Sequence, residues 1–264
     1  MSGWDEVEVI RSAQNAKVKR VRAALAGKAE GVVVLEGARL VRDAVASGLG
    51  LELALVAEGG AEAFDLEREL ARPEVAGPAG VALVDAELLA RVSGLKSGAD
   101  VVALARAPEL EGVAALVVGG DDLVLVVDGV QDPANLGALV RSAEAAGAAA
   151  VVHVRGGASP LHPRVLRGSM GSALRVPAFV AEDRASAGAA LSALGMRVVR
   201  PDTRGGTDWR EVDWSGPVAL WIGGEVAPAD VAGEGVSIPM GGRVESLNVT
   251  VAAALLLFAA RRVR

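Results

Sequence analysis

The sequence predicts a two-part α/β protein. Three observations lead there. Short apolar runs alternate with stretches of helical periodicity along almost the whole chain, the pattern of strands joined by crossover helices. The 264 residues are 52% hydrophobic, mostly alanine, valine and leucine, which is enough for a sizeable core. The pattern also loosens once, over 106–121, where Ala107-Pro108-Glu109 leads to Gly112 and then Gly119-Gly120-Asp121-Asp122. That stretch divides a small α/β domain, 1–108, from a second α/β domain, 121–264, although 113–118 is apolar enough for a short element of its own.

In the first domain, residues 14–27 predict a basic helix and 32–35 a strand ending at Glu36-Gly37. Helical periodicity over 38–48 stops at Gly48, and 51–56 is a second strand. A helix around 61–71 breaks at Pro73, and strands at 81–84 and 101–105 complete the sheet. In the second domain, LVLVVDGV (123–130) is a buried strand with an acidic end. A helix over 135–147 closes at Gly147, followed by a strand at 149–154, a helix at 162–174 and a strand near 177–181. Another helix, 186–194, stops at Gly195; strands follow at 196–201, 218–223 and 236–240, and a last helix runs over 246–262. Strands alternating with helices imply a mostly parallel sheet covered on both faces.

Composition excludes several chemistries. The chain lacks cysteine, so disulfides, thiolate metal sites and thiol catalysis are out. His153 and His162 are its only histidines, which makes a zinc hydrolase or a histidine-based triad hard to build. The N-terminus lacks the basic-then-apolar order of a signal peptide, and the longest apolar run, 251–260, is too short to span a bilayer. A cytoplasmic protein with no membrane or metal partner is expected. There is no G-x-G-x-x-G after the first strand, no phosphate-binding G-x-x-x-x-G-K-[ST] loop and no G-x-S-x-G elbow.

The net charge is −6, yet charge is unevenly distributed. Residues 11–42 hold eight Lys or Arg against Glu30 and Glu36, a local +6, while 43–128 hold sixteen acids against five bases. Residues 153–175 carry Arg155, Arg164, Arg167 and Arg175 with no acid. A basic surface on an acidic body suits a selective RNA binder, and a solvated helix face is the plainer alternative for either patch.

Three stretches of the second domain set glycine beside polar residues at strand ends, where open parallel sheets bind ligands. In DPANLGALVRSAEAAG (132–147), Asn135 stands near a helix start, Gly137 permits close backbone approach, and Arg141 follows six residues on, sharing a broad face with Asn135. An N-cap and a surface arginine are the plainer account. In LWIGGEVAPAD (220–230) a strand ends in two glycines and Glu225, which also fits a tight turn with an exposed acid. In IPMGGRVESLNVTVA (238–252) glycine, Ser246 and Asn248 stand between two apolar elements, and helix capping by Ser246 explains only part of this.

In that order, Asn135-x-Gly137-x-x-x-Arg141-Ser142-Ala143, Gly223-x-Glu225, and Ile238-Pro239-Met240 with Ser246-Leu247-Asn248-Val249 resemble the three motifs of the SpoU (TrmH-type) RNA ribose 2′-O-methyltransferases of the SPOUT superfamily. Asn15-Ala16-Lys17-Val18-Lys19 and Leu35-Glu36-Gly37-Ala38-Arg39-Leu40 resemble that family's N-terminal substrate-binding domain. Pro228 stands where the family usually has glycine, and Thr250 where it has serine.

The resemblance implies a deep trefoil knot, a rare exception to unknotted connections, and a homodimer with its site near the subunit interface. It implies methyl transfer from S-adenosyl-L-methionine to a ribose 2′-hydroxyl of structured RNA, and the extra N-terminal domain leans toward ribosomal rather than transfer RNA. Gly223, Ile238 and Leu247 would hold the cofactor, with Met240 and Ser246 close by. Arg141 resembles the family's catalytic arginine, and Asn135, Glu225 and Asn248 would orient it and the ribose. Lys17, Lys19, Arg20, Arg39, Arg164 and Arg167 would grip phosphates with little sequence reading of their own. The same fold without activity, as an RNA-binding or ribosome-assembly factor, and a small-molecule enzyme on a doubly wound sheet are the competing expectations.

Overall fold

The structure, a computed structural model, describes residues 8–59, 80–95, 98–203, 205–223 and 231–261. The helix expected at 61–71, as well as Glu225 and Pro228, lies outside the described residues. Contacts divide the chain into two compact units: Met1–Pro108 with Leu161–Pro163, and Glu109–Pro160 with Arg164–Arg264.

The first unit runs α1 (Ala16–Leu25), β1 (Val32–Glu36), α2 (Ala38–Ala46), β2 (Leu51–Ala57), β3 (Val81–Val84), α3 (Ala86–Val92) and β4 (Val101–Arg106). Its sheet has the order β1-β4-β2-β3, with β4 antiparallel to both neighbours and β3 parallel to β2. The Asn15 side chain accepts from the Lys17 amide at 2.9 Å and so starts α1, which buries Val18, Val21 and Ala24. Sequence reasoning missed α3. It is one of the shorter helices, capped by Asp85, whose carboxylate accepts from the Leu88 amide at 2.9 Å, and it buries Leu88, Leu89 and Val92. The Asp before Ala-Glu-Leu-Leu-Ala-Arg-Val was the available signal. Glu36, buried at the end of β1, accepts from the Ser93 hydroxyl at 3.0 Å and the Gly94 amide at 2.6 Å, which ties the end of α3 to the sheet.

The second unit runs β5 (Glu111–Gly112), a 3-10 turn (Val113–Ala115), β6 (Leu123–Asp128), α4 (Pro133–Ala145), β7 (Ala150–Val154), α5 (Pro163–Gly168), α6 (Ser172–Arg175), β8 (Ala178–Ala181), α7 (Arg184–Ala193), β9 (Arg197–Pro201), β10 (Thr207–Asp208), β11 (Val218–Gly223), β12 (Glu234–Ser237) and α8 (Val249–Ala259). Eight strands form one sheet in the order β10-β12-β9-β11-β6-β7-β8-β5, and every pairing is parallel. One face is covered by α4 and α8 through Leu136, Leu139, Leu256 and Leu257. The other is covered by α7 and the 3-10 turn through Ala187, Leu191 and Val113. Part of the stretch read as an interdomain boundary thus supplies an edge strand and two buried side chains, Val113 and Leu116, to this unit.

Three elements differ from the sequence expectation. The helix expected over 162–174 is two short helices, because Met170 (φ 51°) and Gly171 (φ 82°) are left-handed and interrupt the hydrogen-bond ladder. The last strand ends at Ser237 instead of 240, since Pro239 has no amide to donate to a neighbouring strand. The final helix starts at Val249 instead of 246, and its N-cap is Asn248 in place of the expected Ser246. The Asn248 carboxamide oxygen accepts from the Thr250 amide at 2.9 Å, within the turn where orphan amides need an acceptor.

His153 on β7 is buried, and loss of hydration pushes its imidazole down to about 4. An unfolded chain binds a proton there near pH 6.5. The stability contributed by neutral His153 is therefore complete above pH 6.5 and declines as pH falls toward 4, by about 3 kcal/mol in all. Urea unfolding at several pH values should show a shallower decline between pH 6.5 and 4 in His153→Asn than in the wild type.

Candidate active site

Because all strands of the second sheet run the same way, the segments that follow β6, β11 and β12 leave from one edge. β11 is inserted between β9 and β6, whereas β7 and β8 extend to the opposite side of β6. The carboxyl ends of β6 and β11 therefore flank the point where the strand order reverses, the crevice where open α/β sheets bind ligands. Asp128 and Gly223 end those two strands in register. Val218 to Ile222 are buried, while Gly223 is half-exposed and has no side chain to block an approaching group.

From β12 the chain enters 238–248. Ile238, half-buried, packs on the main core, and Met240 and Leu247 are also half-buried; Pro239, Gly241 to Ser246 and Asn248 are exposed. Among the described residues, the backbone amides and carbonyls from Ile238 to Leu247 make no hydrogen bond. Such a run of exposed, polar backbone is suited to a ligand with several donors and acceptors, such as an adenine nucleoside, and half-buried Ile238 and Met240 supply apolar contact. The open backbone, with Ile238 and Met240, is thus of the kind that S-adenosyl-L-methionine requires.

The segment ends on α8. Asn248 accepts at one oxygen from both the Thr250 amide (2.9 Å) and the Thr250 hydroxyl (2.6 Å). The threonine that replaces the family's serine thus keeps its hydroxyl engaged on the cap. Ser246 makes no hydrogen bond among the described residues.

α4 presents Arg141 nearby. Asp132 caps this helix, accepting from the Ala134 amide at 3.1 Å, and Pro133 occupies its first turn. Asn135 is therefore within the first turn, half-buried, and not the cap. Arg141 is exposed and forms no hydrogen bond or ion pair among the described residues. It adjoins Ala138 and Ser142, which line one groove with Thr250 and Val251 of α8. The Ala138–Ser142 side of α4, the helix that carries Arg141, thus lines one groove with the start of α8. Asn135 does not join Arg141: six residues on a helix separate them by about 9 Å along the axis and about 120° around it. Gly137 serves packing within the protein. A Cβ there would fall 2.9 Å from the Val165 carbonyl oxygen and 3.0 Å from Gly168 Cα.

The basic residues divide on folding. Arg20 is paired with Glu52, and Arg11 with Glu58 and Asp85. Arg155 pairs with Glu182 at 2.7 Å, Arg175 with Glu144 at 2.6 Å, and Arg164 approaches Asp132 at 3.9 Å. Lys17 is half-buried, and exposed Lys19 and Arg39 have no ion pair among the described residues. Arg167 is half-buried on α5. Sequence reasoning saw Asp128 only as a strand's acidic end. The carboxylate is buried and accepts from Trp221 Nε1 (3.2 Å) and Arg184 Nε (2.7 Å), partners 93 and 56 residues away that no local spacing reveals. Among the described residues no cluster of His, Cys, Asp or Glu could hold a metal ion, and no helix is long and apolar enough to cross a membrane.

Solved structures place this architecture among RNA methyltransferases. An S-adenosyl-L-methionine-bound rRNA methyltransferase from Sinorhizobium meliloti superposes with a TM-score of 0.84 at 27% identity, covering 96% of this chain and 97% of that one. An RNA 2′-O ribose methyltransferase gives 0.80 at 32% identity over 96% and 98%. The SpoU methyltransferase AviRb from Streptomyces viridochromogenes, in complex with the same cofactor, gives 0.81 at 27% over 94% and 97%. The chain belongs to the SpoU rRNA Methylase family, whose model matches residues 122–258. A tRNA (guanosine(18)-2′-O)-methyltransferase of Thermus thermophilus is 46% identical over 74 residues, 25% of this chain and 35% of that protein. The 23S rRNA (guanosine(2553)-2′-O)-methyltransferase RlmP of Bacillus subtilis is 32% identical over 108 residues, 39% of this chain and 43% of that protein. The match thus spans less than half of these curated relatives.

Replacing Asn248 with alanine removes the acceptor of both Thr250 bonds and should destabilise the fold by about 1 kcal/mol, readable by urea unfolding, whereas Ser246→Ala should leave stability unchanged.

Proposed function

We propose that this chain methylates a ribose 2′-hydroxyl of ribosomal RNA, using S-adenosyl-L-methionine held by Gly223 and the 238–247 segment, inside a knotted fold and in the cytoplasm. The observation that carries this reading is the run from Ile238 to Leu247, whose backbone makes no hydrogen bond among the described residues and which leads into the Asn248 cap and α8, packed in one groove with Ala138 and Ser142 of the helix that carries Arg141. Ribosomal RNA is favoured because the rRNA methyltransferase from Sinorhizobium meliloti superposes over 96% of the chain, including its first unit.

When bound, S-adenosyl-L-methionine would be held by Gly223 and the 238–247 segment and would supply an electrophilic methyl group for the ribose 2′-oxygen. The protein must align the hydroxyl and manage its charge. A guanidinium stays protonated in proteins, so Arg141 acts as a cation and not as a base. It clamps a phosphate beside the target ribose and stabilises the negative charge growing on the 2′-oxygen as its proton passes to water. Asn248, its oxygen committed to Thr250, retains a carboxamide NH₂ to donate toward the ribose. Glu225 and Asn135 complete the polar surroundings, and Asn135 acts on the ribose instead of on Arg141 of its own helix. Lys17, Lys19 and Arg39 supply phosphate contacts, together with Arg164 and Arg167; Arg20 must first exchange Glu52 for RNA.

The working form is a homodimer. α8 is apolar on nearly all sides (VTVAAALLLFA), and only one side is spent on the core. Val251, Leu255 and Phe258 form an exposed stripe along its other side, at 48%, 37% and 47% exposure. A second copy of the chain covers that stripe and the adjoining face of α4, which brings the site to the subunit boundary.

In transfer of labelled methyl to ribosomal RNA from a strain lacking the chain, Arg141→Ala should lose at least about 100-fold in turnover. Calorimetry should show its S-adenosyl-L-methionine affinity within about threefold of wild type, because an exposed arginine on α4 contributes nothing to the 238–247 cradle. Near-normal turnover would remove Arg141 from the mechanism; methyl transfer to transfer RNA alone would reassign the substrate. For the assembly state, Leu255→Glu combined with Phe258→Glu should shift the sedimenting species from dimer to monomer.

A further inference from the structure

Arg141 has no hydrogen bond or ion pair of its own among the described residues, so its direction is set by how α4 is held. Besides its packing on the sheet and α8, two contacts fix it against the segment from α5 to α6. At Gly137 the helix comes so near Val165 and Gly168 that no side chain fits between. Seven residues on, Glu144 makes the second contact. Its carboxylate accepts from Arg175 Nε at 2.6 Å and Nη2 at 2.8 Å, and from the Ser172 hydroxyl at 2.6 Å. Ser172 is buried. Arg175 Nη2 also donates to the carbonyl of left-handed Met170 at 3.2 Å, so the same carboxylate steadies a strained turn.

Helical geometry puts the two contacts on one stripe, about 20° apart, with Arg141 between them in sequence and about 40° to 60° round from each. Freeing the Glu144 end would let the last turns of α4 rotate and swing Arg141 relative to the Asn248 cap. No acid occurs in 153–175, so Glu144 supplies the carboxylate that this segment lacks.

We infer that Glu144 is a positioning residue for methyl transfer, locking α4 to the Ser169–Arg175 turn so that Arg141 keeps its aim. This rests on the functional reading above. Glu144→Ala should lower kcat by about 10- to 100-fold, as small misplacements of a reacting group do. S-adenosyl-L-methionine affinity by calorimetry should stay within about threefold. Glu144→Gln, which keeps an acceptor for Ser172, should recover part of the loss. In an Arg141→Lys background the further loss from Glu144→Ala should shrink below about threefold, because a residue acting through Arg141 has nothing left to position.

Arg175→Ala releases the same lock from its other side. It should reproduce the fall in kcat and combine with Glu144→Ala without an additive loss. Equal losses in both Arg141 backgrounds, additive losses with Arg175→Ala, weakened cofactor binding in step with kcat, or unchanged kcat would each overturn the proposal. Normal turnover by Glu144→Ala beside an inactive Arg141→Ala removes only Glu144; normal turnover by Arg141→Ala overturns the functional reading itself.

Discussion

The common direction of the eight strands is the constraint on which the second unit depends. Parallel strands cannot be joined by hairpins, so each connection must cross a face and every strand delivers its carboxyl end to the same edge. That edge gathers Gly223, the 238–248 segment and the approach to α4, although the last two lie more than a hundred residues apart in sequence. Burial on both faces is the complement: α4 and α8 close one side, α7 and the 3-10 turn the other, leaving the strand ends as the accessible polar boundary. The packing of α4 on α8 then brings Ala138 and Ser142 to one groove with Thr250 and Val251.

Charge behaves differently in the folded molecule than along the chain. The acid-free run from 153 to 175 is not an unopposed basic surface, since Glu182, Glu144 and Asp132 arrive from other elements to meet Arg155, Arg175 and Arg164. Likewise Glu52, Glu58 and Asp85 meet Arg20 and Arg11 on the first unit. These pairs are largely exposed and weak individually, so they act more as a sorting device than as glue. Arginines engaged with carboxylates must exchange partners before they bind phosphate, whereas Lys19 and Arg39, without an ion pair among the described residues, need no such exchange there.

Element type was legible wherever a periodic apolar pattern ran long enough to dominate. The strands at 123–128 and 218–223 and the helix over α4 are of this kind, because burial on both faces or along one stripe writes itself into composition. Details decided by a single backbone group were harder to read. The break at Met170 turns on one left-handed residue, the end of β12 on one missing amide, and the start of α8 on a choice between Ser246 and Asn248 as acceptor. Of the candidate site, the ordered motifs singled out Gly223, Ile238, Arg141 and Asn248. Spacing suggested that Asn135 and Arg141 share a face, which the pitch of the helix does not support. The assignment of Gly137 was chemically sound as close approach, yet the partner is the Val165–Gly168 backbone. Glu144 and buried Asp128 stayed hidden because their partners come from distant elements and leave no local signature.

The placement of β11 also orders events during synthesis. Leu123 pairs with Val218, 95 positions later, so the middle of the sheet stays unfilled until most of the domain has left the ribosome. β6 then has β7 on one side and nothing on the other, and the emerging chain exposes a long, Val- and Leu-rich edge for that interval. Contacts of such separation make for slow assembly. The 238–248 segment and α8 emerge later still, so the carboxyl edge around Gly223 is the last part of the domain to acquire its form, and a ribosome stalled near residue 217 would hold only the β6-β7-β8-β5 half of the sheet, with β9 and β10 unpaired.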